Sequence, residues 1–143
     1  MIFSFGQSER ERIEVDVLGY ERSPTGDYHD DNWLTVKIKV SAGGFHGQTD
    51  AAIMTYEIAA FTLELRILFK KLTGSAKFET LEEQLSLELR GDGKGHIDVS
   101  GEVEDNLGMG NRLRFAIKID QSQLAQSLRE LETVILKFPV RIQ

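Results

Sequence analysis

The chain has no cysteine, so it forms no disulfide, no zinc–thiolate site and no iron–sulfur cluster, and nothing ties it to an oxidising compartment. A cytoplasmic location is the expectation. The first residues, MIFSFGQSERERIEV, run into charge too early for the basic start and apolar stretch of a signal peptide. No later segment nears the roughly 18 apolar residues of a spanning helix, so no membrane association is expected. Basic residues are also in short supply. Lys and Arg number 17 against 23 Asp and Glu, giving a formal charge of −6 and a pI near 5.1. That balance argues against nucleic acid as a partner, because neutralising phosphates takes a surplus of Lys and Arg. A basic partner fits better.

Catalytic signatures are missing as well. No serine stands in GxSxG, and DGKG at 92–95 lacks the GxxxxGK[ST] spacing of a phosphate loop. The three histidines, His29, His46 and His96, are scattered without the helical i, i+4 spacing of a metal motif. The acidic run DYHDDN at 27–32 offers oxygen ligands but not the alternating spacing, central glycine and distal glutamate of a calcium hand. Asp and Asn also favour turns, because their side chains bond nearby backbone N–H groups. The run therefore reads as a turn that delivers Trp33, the single tryptophan, into a strand as a packing residue. No catalytic residue, metal or cofactor is expected, and the chain is not expected to be an enzyme.

What is present is patterning. A length of 143 residues suits one domain, 1–143, with enough chain to bury a core. Ile13, Val15 and Val17 alternate with Glu14, Asp16 and Leu18, and Leu34, Val36, Ile38 and Val40 alternate with Thr35, Lys37 and Lys39, as half-buried strands do. Gly43 and Gly44 make a turn, and residues 45–55 return as a partner strand, although Gly47, Ala51 and Ala52 suit it poorly. From Thr55 the period lengthens. Ile58, Phe61, Leu65, Leu68 and Leu72 predict a helix over 56–72 with Gly74 as its cap, and Leu63, Ile67 and Phe69 widen its stripe toward deep burial.

The second half repeats this grammar. Leu85, Leu87 and Leu89, then Ile97, Val99 and Val103, then Leu113, Phe115, Ile117 and Ile119 predict a three-stranded meander with turns at GDGKG and NLGMGN. Asp120 and Gln123 form a capping box for a helix carrying Leu124, Leu128, Leu131 and Ile135, which Pro139 stops. One-faced strands need a cover. The expected fold is α+β: antiparallel sheet in meander halves, with two helices packed on one face and the other face open to water.

Charge is unevenly placed. From Glu79 to Asp105 nine acids face two bases; beyond Asp105 six bases face three acids. Asp98, Glu102 and Glu104 should pair across the meander with Arg112, Arg114 and Lys118, and the remaining acidity can steer a basic partner. On residues alone, a solubilising face, a small-ligand or metal-binding module around His29 and Asp30, and an interaction surface all stay open.

Several stretches together resemble the WapI-type immunity proteins of bacteria: GYERSPTGDYHDDNWL at 19–34, GGF at 43–45, TYEI at 55–58, GHIDVSG at 95–101, LRFAIKIDQSQL at 113–124 and FPVR at 138–141. The most specific pieces are Asp27, Tyr28, Asp30, Asn32, Trp33 and Leu34, with the IDQS helix entry; the family often carries an aromatic where His29 stands. The resemblance implies a cytoplasmic protein that binds a cognate toxin domain and blocks it without chemistry. An acidic inhibitor suits a basic nuclease toxin, whose phosphate groove its carboxylates can occupy. The expected partner contacts are Asp98, Glu102, Glu104 and Asp105, joined by Asp30 and Asp31. The oligomeric state is not legible.

Overall fold

The computed structural model describes residues 1–106 and 108–142. Strands β1 (Ile2–Ser8), β2 (Glu11–Tyr20), β3 (Trp33–Ala42) and β4 (Phe45–Met54) lead into helix α2 (Thr55–Lys71), with the short helix α1 (Tyr28–Asp31) between β2 and β3. Strands β5 (Thr73–Glu79), β6 (Leu85–Asp92), β7 (His96–Glu104) and β8 (Arg112–Asp120) then lead into α3 (Gln121–Lys137). The α+β class and the meander halves hold, each meander forming its own antiparallel sheet in the order β1-β2-β3-β4 or β5-β6-β7-β8. The buried apolar residues of both sheets and both long helices make one continuous cluster.

Alternation decides which side chains enter it. Ile13, Val15 and Val17 of β2 and Leu34, Val36, Ile38 and Val40 of β3 point inward, as do Leu85, Leu87 and Leu89 of β6 and Phe115, Ile117 and Ile119 of β8. Ile58, Phe61, Leu65 and Leu68 of α2 and Leu124, Leu128, Leu131 and Val134 of α3 supply the helical share. Gly101 lies on the inner side of β7, where a Cβ would stand 2.6 Å from the ring of Phe115. The absent side chain is the space that ring fills.

Several details depart from the sequence reading. The second meander has four strands, because β5 adds Ala76 and Phe78 to the core, and β1 adds Phe3 and Phe5, with Phe3 edge-on to Phe78 at 6.4 Å. The α2 cap is Leu72, held in the left-handed region at φ 60°, while Gly74 lies inside β5. Leu63 and Ile67, expected to be deeply buried, are 59% and 55% exposed. They fall on the outward side of α2, and only Phe69 packs partway against the core. Asp120 does cap α3, accepting from the Gln123 N–H at 2.9 Å while the Gln123 side chain accepts from the Asp120 N–H.

The acidic run folds into a clasp. The Asp31 carboxylate is buried and accepts from the Thr25 N–H and hydroxyl, both at 2.8 Å, and from the Gly26 N–H at 2.9 Å. Burial would raise its pKa, but the Thr25 and Gly26 bonds, with the charge of Arg141, outweigh that and hold it below the ordinary value. Asn32, fully buried, donates to the carbonyls of Tyr28 and Arg141 and accepts from the Arg141 N–H and the Thr55 hydroxyl. One amide thus treats the C-terminal segment as a strand would. Arg141 then lies 3.5 Å over the ring of Tyr20. Trp33 is half-buried with His29 edge-on at 5.9 Å, which is a packing arrangement.

Candidate partner-binding surface

Antiparallel register sets the charge pattern of the second sheet. Asp98 stands opposite Lys118, Glu102 opposite Arg114 and Glu104 opposite Arg112. Opposite positions on one face sit close enough for unlike charges to attract. Arg112 bridges Glu102 at 2.9 Å and Glu104 at 3.2 Å, and Arg114 reaches Glu102 at 3.4 Å. The Arg112 bond lowers the Glu102 pKa, and with the charges of both arginines it outweighs the opposing effect of burial. One strand over, Glu88 meets Arg90 at 2.5 Å and Lys77 at 3.7 Å. Much of the acidity that stands out in the sequence is therefore neutralised across the strands.

The six acids proposed from the sequence divide into three situations. Asp98 is exposed on β7 between Arg90 and Lys118 in register, and Glu102 is partly exposed within its arginine pair. Asp105 is exposed at the β7–β8 turn, where its carboxylate accepts from the Asn111 N–H at 2.7 Å and its carbonyl accepts from the Thr49 hydroxyl of β4 at 3.0 Å. Glu104, by contrast, is 4% exposed, covered at the β7–β8 turn and bonded to Arg112 and to the Gly110 N–H. Asp31 is buried in the clasp for the reason given above. Asp30 is exposed, 3.7 Å from Arg22, but belongs to the β2–β3 connection of the other sheet. The structure gathers Asp98, Glu102 and Asp105 along one strand and its turn, and separates the two residues of the clasp from them.

One feature escaped sequence reasoning. A cleft of about 210 Å³ opens where the ends of the two sheets meet, lined by Ile38, Val40 and Gly47 on one side and Val103 and Leu113 on the other, with Asp105 at its mouth. Phe45 beside it is 69% exposed. Gly47, a poor strand former in its lining, was the available signal. Among the described residues no three of His, Asp and Glu converge as a metal site, and no helix is long and apolar enough to cross a membrane. His46 bonds the Ser41 hydroxyl at 3.2 Å, and His96 bonds Asp92 at 2.9 Å.

Comparison with known proteins adds two findings. A family model described as the immunity protein WapI-like family matches residues 3–139. A solved structure described as that of the plant transcriptional regulator PBF-2 superimposes with a TM-score of 0.53 at 13% identity, covering 96% of this chain and 81% of that one. At that identity the likeness is one of fold alone. A search of curated proteins finds no match.

Proposed function

Because the chain belongs to the WapI-like immunity protein family, we propose that it binds and neutralises a cognate bacterial toxin domain by contact, in the cytoplasm and without chemistry of its own. The observation that carries this reading is the extent of the family match, which runs through both meanders and both long helices. The β7–β8 face supports it. Its Glu102–Arg114 pair reaches solvent, so a charged partner can exchange it at small cost, since such pairs are weakly held in water. Asp98, Glu102 and Asp105 are the contact carboxylates in this proposal, with Asp30 at a separate rim. Glu104 works from inside by fixing Arg112, and Asp31 by shaping the clasp. A basic nuclease toxin suits these acids, which would stand where phosphates bind.

The test uses the toxin domain encoded beside this chain's gene. Co-expression should rescue cells from it, and calorimetry should show a stoichiometric complex. Asp98→Lys with Glu102→Lys should slow association about tenfold at low salt with a smaller effect on dissociation, as charges that steer encounter do. Unprotected cells and the absence of a complex would overturn the reading.

A further inference from the structure

The two halves end alike: β4 passes into α2 at Met54 and Thr55, and β8 into α3 at Asp120 and Gln121. Counting back from these junctions matches the inward positions of the two edge strands. Ile119, Ile117, Phe115 and Leu113 of β8 correspond to Ile53, Ala51, Thr49 and Gly47 of β4. Three of the β8 residues are buried and Leu113 is partly so, giving that sheet a full apolar margin. On β4 only Ile53 keeps its bulk. The cleft walled by Ile38, Val40, Val103 and Leu113 lies where the missing side chains would be.

Leaving such a gap lowers stability, because its lining loses packing partners. The fold does not require it. Gly47 has no left-handed backbone angle, and a Cβ built on it meets nothing within 4 Å. A larger residue is therefore sterically welcome at a position that holds none.

Resting on the functional reading above, we infer that this cleft seats one apolar side chain of the toxin domain, flanked on the toxin by a Lys or Arg that meets Asp105. Its volume, about 210 Å³, falls below the roughly 300–1,000 Å³ of metabolite pockets. It suits a single anchoring side chain of the kind that dominates protein interfaces. The mouth favours a base. Arg112 is already held by Glu102 and Glu104, whereas the Asp105 carboxylate is exposed and, among the described residues, bonded to the Asn111 N–H. Phe45 extends the apolar surface at the rim.

Gly47→Leu fills the cleft, and the purified variant should melt at a higher temperature than the wild type while binding the toxin domain at least tenfold more weakly. In the methyl-labelled wild type, the signals of Ile38, Val40, Val103 and Leu113 should shift on adding the toxin domain, a reading that stands even if the variant folds poorly. Unchanged toxin affinity in a variant that melts higher, or methyl signals that stay in place in a formed complex, overturns the cleft and leaves the immunity function intact. A wild-type dimer that Gly47→Leu dissolves would assign the cleft to a second copy and overturn it too. Failure of the wild type to bind the toxin removes the function and this inference together.

Discussion

The buried Asn32 side chain makes four bonds: one to Tyr28 in the helix it caps and three to distant groups, the Thr55 hydroxyl and both backbone groups of Arg141. A buried amide removed from such a place leaves donors and acceptors without water, and each orphan costs more than an ordinary hydrogen bond contributes. Asn32→Ala should therefore lower unfolding free energy by about 2–4 kcal/mol, measured as a shifted urea midpoint. Asn32→Asp keeps the acceptor but turns a carboxylate toward two carbonyls, so it should not rescue. A loss below about 0.5 kcal/mol in Asn32→Ala would show that water replaces the amide at the clasp. The sequence reads this stretch as a turn, which the structure builds as the short helix α1 with Asn32 as its C-cap, and the family resemblance placed Asn32 in its most specific part. It could not show that the amide pairs with a residue 109 positions away, because nothing local encodes so distant a partner.

Elements with clean alternation were legible to within a residue or so, as β3, β6 and β8 show, because a period of two leaves little choice of face. Strands β1 and β5 were not. Ile2–Ser8 and Thr73–Glu79 carry only two large buried residues or fewer apiece among Ser, Gly and Lys, and their pairing with a neighbour supplies what the pattern omits. The β6–β7 hairpin offers a test at this scale. The Asp92 carboxylate accepts from the Lys94 N–H at 2.6 Å and is bonded by His96, and these contacts lower its pKa to about 2. A carboxylate with a depressed folded pKa stabilises the fold above its unfolded value and loses that contribution as pH falls through the folded one. The contribution of Asp92 should therefore be complete above about pH 4 and disappear toward pH 2. Carboxyl-carbon NMR should place its midpoint near 2, and Asp92→Asn should flatten this part of the acid profile; a midpoint near 4 would contradict the hairpin geometry.

Across the whole molecule, long-range closures join the last residues of the chain to its first two strands and the loop after them. Tyr20 donates its hydroxyl to the Pro139 carbonyl, Arg141 covers its ring, and the Arg141 guanidinium reaches the Arg22 carbonyl. Truncation after Phe138 removes these contacts together with the partner of Asn32, and should cost about 2–3 kcal/mol, seen as a lower urea midpoint with a similar slope. The charge mosaic of β7 and β8 was half legible at this scale: the sequence carried the pairing of acids with bases but not the burial of Glu104, over which the β7–β8 turn closes through Gly110. The last helix also returns to the first strand. The Ser127 hydroxyl donates to the Ser4 carbonyl, and the Ser4 N–H and hydroxyl donate to Glu130, while Phe3 and Phe5 lie buried on either side. Those bonds span 123 positions or more, and a ribosome adding roughly 5–20 residues each second takes about 6–25 s to make that much chain. Phe5 meets Phe61 and Phe3 meets Phe78 well before that point, but the bonds that close α3 over β1 form only after it, so a chain stalled short of α3 leaves one side of its first strand open to chaperones.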